Sequence, residues 1–292
     1  MAITAATRAS ALARWQTNHV AELLAAAGGP EVEARLVSTA GDRDKTTSLH
    51  ELGGKGIFVK EVQACVLDGV ADIAVHSAKD LPALTPEGLM ICAVPARADV
   101  RDVLVGSTLD NLPKGAKVGT GSLRREVQLL RHRPDLDVVQ IRGNIDTRLA
   151  LVDELDAVVI AAAALDRLGI TPDVAEHLPV ETMLPQVGQG ALAIECRVDD
   201  VDTIEALSLI DDAVAHRILD VERSFLVELD GDCDLPAGAF AELVDIDDPE
   251  GQVWIRGMLS DGGESVEYDE ARGIDGNTLG RRLAIDLRDR LG

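Results

Sequence analysis

The chain has 292 residues, a formal net charge of −23 and 46% apolar residues, but only 2% aromatic ones. This length allows two or three domains with cores of their own, built mainly from Ala, Val, Leu and Ile. The composition excludes a membrane-spanning helix, because no run of eighteen apolar residues is present. The acidic balance also argues against a nucleic-acid partner.

The four cysteines are widely spaced and form no CxxC pair. This usage suits a reducing compartment and argues against a zinc site or a disulfide framework. The first fifteen residues show no basic region followed by an apolar segment, so the sequence predicts no secretory signal. We therefore expect a cytoplasmic protein without a bound metal.

The first 97 residues alternate between strand and helix patterns. In chain order the predicted elements are a strand at 3–7, a helix capped by Ser10, a strand at 31–37, a mobile loop at 39–56, a helix at 57–68 and strands at 73–75 and 89–94. Such alternation indicates a mainly parallel sheet.

The strand predicted at 73–75 leads into a polar segment that contains His76, Ser77, Lys79 and Asp80. In an open α/β sheet, ligands bind beyond the carboxyl ends of the strands. Taken alone, the segment favours an ordinary polar turn after a core strand, with His76 as a structural residue. The alternative is that Asp80 has a chemical role.

A second alternating region begins near residue 98. It is predicted to contain strands at 103–105, 117–119, 137–141, 157–162 and 191–196, and helices at 122–131, 144–153, 201–210 and 213–229. The last part, from residue 238, changes to short strands at 239–244, 253–259 and 265–269, followed by a helix at 278–291. That pattern predicts a small α+β domain with an antiparallel sheet.

Arginines cluster at two predicted strand ends of the second region. Arg124 and Arg125 follow the glycine turn after residue 119 and fall in the first turn of a helix with Ser122 at its N-cap. Cations at that position oppose the helix dipole, so another group should favour them. A helix N-terminus with guanidinium groups suits an anionic ligand.

The segment from Arg142 to Arg148 repeats this arrangement, and Arg8 and Ser10 could join it from the first region. For any single arginine, pairing with a surface carboxylate is the ordinary alternative. Two successive strand ends that both carry arginines at a helix start favour recognition of carboxylates or phosphates. Neither end carries a GxGxxG fingerprint or a Walker loop.

Cys233 differs from the other cysteines because it lies in a turn-rich loop, between Asp232 and Asp234. Acidic neighbours disfavour a thiolate, so a turnover nucleophile is not expected there. A permanent covalent attachment point fits this setting better.

Several of these motifs together resemble the porphobilinogen deaminase family. The matching segments are ATRAS (6–10), GGKGIFVKE (53–61), ADIAVHSAKDLP (71–82), VGTGSLRR (118–125), RPDLDVVQIRGNIDTRL (133–149), LDRLGI (165–170), LPQVGQGALAIECR (184–197) and GDCDLPAG (231–238). They occur in the family's order and span nearly the whole chain.

The resemblance implies an α/β fold class: two periplasmic-binding-protein-like (type II) α/β domains flanking a cleft, plus a small C-terminal α+β domain that carries the cysteine. We expect domain 1 at residues 1–97 and 189–210, domain 2 at 98–188 and domain 3 at 211–292. It also implies a monomer that acts on a small molecule and has no nucleic-acid or membrane partner.

The activity implied by the resemblance is the head-to-tail condensation of four porphobilinogen molecules into hydroxymethylbilane, with release of ammonia, in porphyrin biosynthesis. The implied cofactor is a dipyrromethane attached by a thioether to Cys233, which primes the chain and is retained.

The resemblance assigns roles to the polar residues found above. Asp80 matches the catalytic carboxylate. The implied cofactor-binding residues are Cys233, Lys79, Asp80, Thr120, Ser122, Arg124, Arg125, Arg142 and Arg148. The implied substrate-binding residues are Arg8, Ser10, Arg142, Arg148 and Arg167. Gly121 departs from the family, which commonly has a serine there.

Two other functions remain open from the residues alone. One is a non-catalytic two-domain binder of a small polycarboxylate. The other is a phosphosugar enzyme, which is disfavoured because the six histidines are scattered and form no metal-ligand cluster.

The net charge of −23 leads to a prediction about salt. We hypothesise adaptation to a saline cytoplasm, where the screening length is about 3 Å at molar salt and the acidic surface repels itself less. Thermal unfolding should therefore lose cooperativity at low ionic strength. A melting curve that is the same in dilute buffer and in molar salt would contradict the hypothesis.

Overall fold

A computed structural model describes residues 2–39, 59–229, 236–263 and 265–292. Within them the strands are β1 (Ile3–Arg8), β2 (Val32–Val37), β3 (Ile73–Ser77), β4 (Leu89–Ala93), β5 (Asp102–Val105), β6 (Lys117–Thr120), β7 (Asp137–Gln140), β8 (Ala157–Ala161), β9 (Ala175–Leu178), β10 (Leu192–Arg197), β11 (Ala237–Leu243), β12 (Val253–Ser260) and β13 (Val266–Gly273). The α-helices are α1 (Ala11–Ala26), α2 (Lys60–Leu67), α3 (Leu123–His132), α4 (Ile145–Ala150), α5 (Ala162–Leu168), α6 (Val201–Ser208), α7 (Ala213–Glu228) and α8 (Gly276–Leu291). None of these helices is long and apolar enough to cross a membrane.

The chain divides into two compact units. The first unit comprises residues 1–98 and 191–219, and the second comprises residues 99–190 and 220–292. The three-domain boundaries stay a prediction. The mobile loop at 39–56 falls, apart from its first residue, outside the described residues.

The first unit is built on a five-stranded sheet of order β2-β1-β3-β10-β4. Strands β1, β2 and β3 are parallel, whereas β10 runs antiparallel to both β3 and β4. One face of the sheet packs with α1 through buried aliphatic residues such as Ile3, Val20, Leu24 and Ile194. The predicted parallel alternation is confirmed for every strand of this sheet except β10.

The second unit contains a five-stranded sheet of the same topology, in the order β7-β6-β8-β5-β9. Strands β6, β7 and β8 are parallel, and β5 is antiparallel to β8 and β9. In each sheet the antiparallel strand is the first one after the chain crosses between the units, since β5 begins at Asp102 and β10 at Leu192. The predicted α/β class is confirmed, with two mixed sheets of one design.

The second unit also contains the antiparallel sheet β11-β12-β13, which packs against α8. The small α+β region predicted for the end of the chain is thereby confirmed. Glu222, on α7, is fully buried and joins this sheet to the segment before β10, because its carboxylate accepts hydrogen bonds from Gly188 N at 2.8 Å and Ala241 N at 3.0 Å.

Two predicted strand ends are wrong, and two elements are not predicted. Strand β3 continues through Ser77, because β10 pairs with it in register up to that residue. The strand predicted at 157–162 ends at Ala161, and helix α5, which begins at Ala162, is not predicted because its alanines continue the apolar run of β8. Strand β9 was missed because prolines flank it at Pro172 and Pro179.

Candidate functional site

In the first unit, Asp80 ends a short 3₁₀ turn, Ala78–Asp80, that directly follows β3. The side chain is exposed, although the strand before it is buried. Asp80 lines a small pocket together with Arg8, His76 and Ser77. The structure therefore brings the predicted Asp80 and Arg8 to one place, within a single unit.

The strand pairing explains this convergence. Strands β1 and β3 are parallel, so their carboxyl ends, which carry Arg8 and Ser77, meet at the same edge of the sheet. Ser10 then caps α1, its hydroxyl accepting a hydrogen bond from Ala13 N at 3.3 Å. Gln16, one turn further, donates a hydrogen bond to Ser77 Oγ at 2.6 Å. The enclosed volume, about 30 Å³, is room for one or two water molecules.

In the second unit, the polar segments after β6 and β7 lie side by side because the two strands are parallel. The hydroxyl of Thr120 is buried and accepts a hydrogen bond from Ser122 N at 3.2 Å. At Gly121 a Cβ atom would lie 2.6 Å from the carbonyl oxygen of Ile141, so glycine fits the close approach of the two segments.

Ser122 stands at the N-cap of α3, as predicted, but its hydroxyl makes no capping hydrogen bond. The backbone carbonyl of Ser122 accepts from Arg125 N and Glu126 N instead. The predicted N-cap position is therefore confirmed, but the hydroxyl is not used by the helix.

Arg142 lies in a tight turn between β7 and α4, and Arg148 lies on α4 itself. Gly143 has a φ of +113°, and a Cβ atom there would meet the side chain of Thr147 at 2.8 Å. Asn144 caps α4 by accepting a hydrogen bond from Thr147 N at 3.0 Å. Arg148 Nε donates to the carbonyl of Gly143 at 2.9 Å, and Arg142 Nη1 is a buried atom for which the described structure offers no hydrogen-bond partner.

Arg124 and Arg125 do not point into solvent. Both are buried at the start of α3 and both pair with Asp102, the first residue of β5. Arg124 Nη2 lies 2.8 Å from Asp102 Oδ2, and Arg125 Nη2 lies 2.7 Å from Asp102 Oδ1. Carbonyl oxygens of Leu184 and Val159 accept further hydrogen bonds from these guanidinium groups.

Burial and charge within this cluster shift the pKa values of Asp102 and Arg124. Burial alone would raise the pKa of Asp102, but the charges of Arg124 and Arg125 outweigh it and hold that pKa well below its usual range. Burial lowers the pKa of Arg124. Asp102 is thus the group that favours two cations in the first turn of a helix.

The cluster still carries an excess of positive charge, because two guanidinium groups share one carboxylate. Arg124 Nε, moreover, is buried and has no hydrogen-bond partner in the described part of the chain. A buried donor without a partner is costly, so an anionic group near Arg124 would stabilise the arrangement.

The other predicted residues are placed as follows. Arg167 lies on α5, is mostly buried and donates a hydrogen bond to the carbonyl of Gly190 at 2.7 Å. Lys79 is half-buried in the turn before Asp80. Cys233 lies outside the described residues.

Sequence reasoning missed two residues, Asp102 and Gln189. Gln189 is fully buried and donates hydrogen bonds to Asp102 Oδ1 at 2.9 Å and to the carbonyl of Val100 at 2.8 Å. An acidic residue at the start of an apolar strand was the signal for Asp102. In the ranges that the structure covers, no group of His, Cys, Asp and Glu side chains is arranged to hold a metal ion.

Two α/β units of one topology, each with polar groups at its strand ends, define a protein of the small-molecule-binding α/β class. A family model described as "Porphobilinogen deaminase, dipyromethane cofactor binding domain" matches residues 3–205, and one described as "Porphobilinogen deaminase, C-terminal domain" matches residues 217–289. The chain belongs to the porphobilinogen deaminase family.

Curated relatives agree with this assignment. A porphobilinogen deaminase of Brevibacillus brevis is 45% identical over 96% of this chain and 92% of its own length. The one of Syntrophus aciditrophicus is 49% identical over 81% of this chain and 79% of its own length. A periplasmic substrate-binding protein of an ABC transporter from Coxiella burnetii matches with a TM-score of 0.44 and 13% identity, over 71% of this chain and 91% of that chain. That structural similarity is too low to add to the assignment.

The Asp102 cluster leads to a prediction about stability. Replacing Asp102 by Asn leaves two buried guanidinium groups without a counter-charge, so the free energy of unfolding should fall by about 3–5 kcal/mol at pH 7. Urea denaturation measures this loss. Arg101→Gln, which removes an exposed ion pair with Asp99, is the matched control and should cost no more than about 1 kcal/mol.

The same cluster makes the stability of the folded protein depend on pH. The pKa of Asp102 is lower in the folded than in the unfolded protein, so its stabilisation is complete above the ordinary pKa of aspartate, about 3.9, and is lost as the pH falls further. The difference in stability between the wild type and Asp102→Asn should therefore shrink below about pH 4. A difference that stays constant from pH 7 to pH 3 would contradict this account.

Proposed function

We propose that the protein is a transferase that joins four porphobilinogen molecules head to tail into hydroxymethylbilane and releases ammonia at each addition. The observation that carries the proposal is the family match, which spans residues 3–205 and 217–289. The proposal includes a monomeric enzyme in the cytoplasm. The alternative of a non-catalytic binder of polycarboxylates gains no support from the match.

Asp80 is the proposed catalytic residue. Loss of ammonia leaves a cation on the substrate, next to pyrrole N–H groups. An exposed carboxylate on a short turn, anchored by a buried strand, can stabilise that cation and accept those N–H groups as hydrogen-bond donors. It can also move the proton that the departing amine needs.

Arginines are the proposed partners of the substrate carboxylates. Each pyrrole of the substrate carries an acetate and a propionate, so the growing chain accumulates negative charge. Arg142 supports this role most directly, because its Nη1 atom is buried without a protein partner among the described residues. We propose Arg148, Arg8, Arg167 and Ser10 as further contacts to these groups.

The proposed cofactor is a dipyrromethane attached to Cys233. Its carboxylate side chains match the chemistry of the second unit, where Arg124 Nε and Arg142 Nη1 are buried donors without acceptors among the described residues. The other proposed cofactor-binding residues are Lys79, Asp80, Thr120, Ser122, Arg125 and Arg148. The hydroxyl of Ser122 is not used by α3. When bound, the cofactor supplies the pyrrole to which the first substrate is joined.

The first test replaces Asp80 by Ala. The variant should fold and keep its cofactor, but its turnover should fall by about 10²-fold or more, because the preorganised carboxylate is lost. Formation of hydroxymethylbilane by holoenzyme measures the effect. Asp68→Ala, at an exposed carboxylate of the same unit, is the control and should keep normal turnover. Near-normal activity of Asp80→Ala would reject the catalytic role.

The second test replaces Arg142 by Gln. One charge-assisted hydrogen bond to a substrate carboxylate is worth about 1.5–3 kcal/mol, so the KM for porphobilinogen should rise by roughly 10- to 100-fold. Steady-state kinetics and the pattern of partly elongated enzyme species measure the change. Arg101→Gln again serves as the control, and equal kinetics for the two variants would exclude Arg142 from substrate binding.

A further inference from the structure

Three polar side chains are buried together in the first unit, those of Gln63, His76 and Glu195. Their exposed fractions are 3%, 6% and 0%. Gln63 Nε2 lies 3.0 Å and 2.9 Å from the two carboxylate oxygens of Glu195. His76 Nε2 lies 3.1 Å from Glu195 Oε2, so the two side chains are in contact, although they do not form a hydrogen bond.

Packing alone does not account for this cluster. Glu195 is opposite Ala74 in the sheet register, and Ala74 belongs to an apolar cluster with Val62 and Leu89. Burying a carboxylate at this position costs free energy, whereas burying an aliphatic side chain there would not. Such departures from apolar packing concentrate where function requires them.

The position of the cluster connects it to Asp80. His76 lies on β3, whose last residue leads into the turn that ends with Asp80. Strand β10 pairs with β3 as far as Ser77, and the residues just beyond this pairing are joined by the hydrogen bond from Ala78 N to Ala191 O at 3.0 Å. The contact of Glu195 with His76 adds a side-chain link between the same two strands. His76 and Asp80 also line the same pocket.

We propose that Glu195 and His76 form a positioning pair for Asp80. Gln63 fixes the carboxylate of Glu195, the carboxylate fixes the imidazole of His76, and the imidazole fixes the strand end from which the catalytic turn leaves. The pair rests on the proposed function, since it acts through Asp80 and touches no substrate itself. Its loss should lower kcat and leave KM unchanged.

The test compares Glu195→Gln with Glu222→Gln. Both carboxylates are fully buried and accept hydrogen bonds, Glu195 from Gln63 Nε2 through both of its oxygens and Glu222 from two backbone nitrogens, so both variants should lose stability. In holoenzyme, kcat of Glu195→Gln should fall by about tenfold or more, because a small misplacement of a reacting group is costly, while KM stays within about twofold. Glu222→Gln should keep its kcat. If Glu195→Gln does not fold, His76→Asn is measured in its place with the same expectation.

A double variant separates positioning from a general loss of activity. If Glu195 acts through Asp80, adding Glu195→Gln to Asp80→Ala should cause no further loss of turnover. The positioning role of Glu195 and His76 would be overturned if Glu195→Gln and Glu222→Gln had equal kcat. It would also be overturned if Glu195→Gln lowered turnover by the same factor with and without Asp80. Either outcome would leave the proposed function standing. A wild-type holoenzyme that forms no hydroxymethylbilane would defeat both together.

Discussion

Two guanidinium groups, those of Arg124 and Arg125, share the single carboxylate of Asp102 inside the second unit. Removing charged groups from water costs free energy, and the contacts within the cluster offset that cost only because each group has several partners. Gln189 is the third side chain that contacts Asp102, and it joins the segment just before β5 to the segment just before β10. The start of α3, the start of β5 and the segment before β10 therefore meet at one buried carboxylate.

The shared sheet topology explains where the polar residues lie. Parallel strands place their carboxyl ends at one edge, so Arg8 and Asp80 meet in the first unit, and the segments of Thr120 and Arg142 meet in the second. Close backbone approach at Gly121 and the positive φ of Gly143 let these segments turn sharply after their strands. The strand ends carry the polar side chains, and the buried strands hold them in place.

Much of this arrangement could be predicted from the sequence, because hydrophobic runs followed by polar segments are local signals. The strands β1, β6 and β8, the cap at Ser10 and the strand-end positions of Asp80 and Arg142 follow from such patterns. The partner of Arg124 and Arg125 could not be predicted in this way, since Asp102 is more than twenty residues distant and becomes their neighbour only through the sheet. The contact of His76 with Glu195 is hidden for the same reason, because it depends on the antiparallel placement of β10.

The proposed function requires that the chain build a pyrrole polymer on a group attached to Cys233. The intact mass of the protein, measured after exposure to porphobilinogen, tests it most directly. The account predicts a wild-type mass raised by two linked pyrrole units, further species that differ by one pyrrole each, and no such addition on a Cys233→Ser variant. An unmodified wild-type protein that binds porphobilinogen without consuming it would contradict the account.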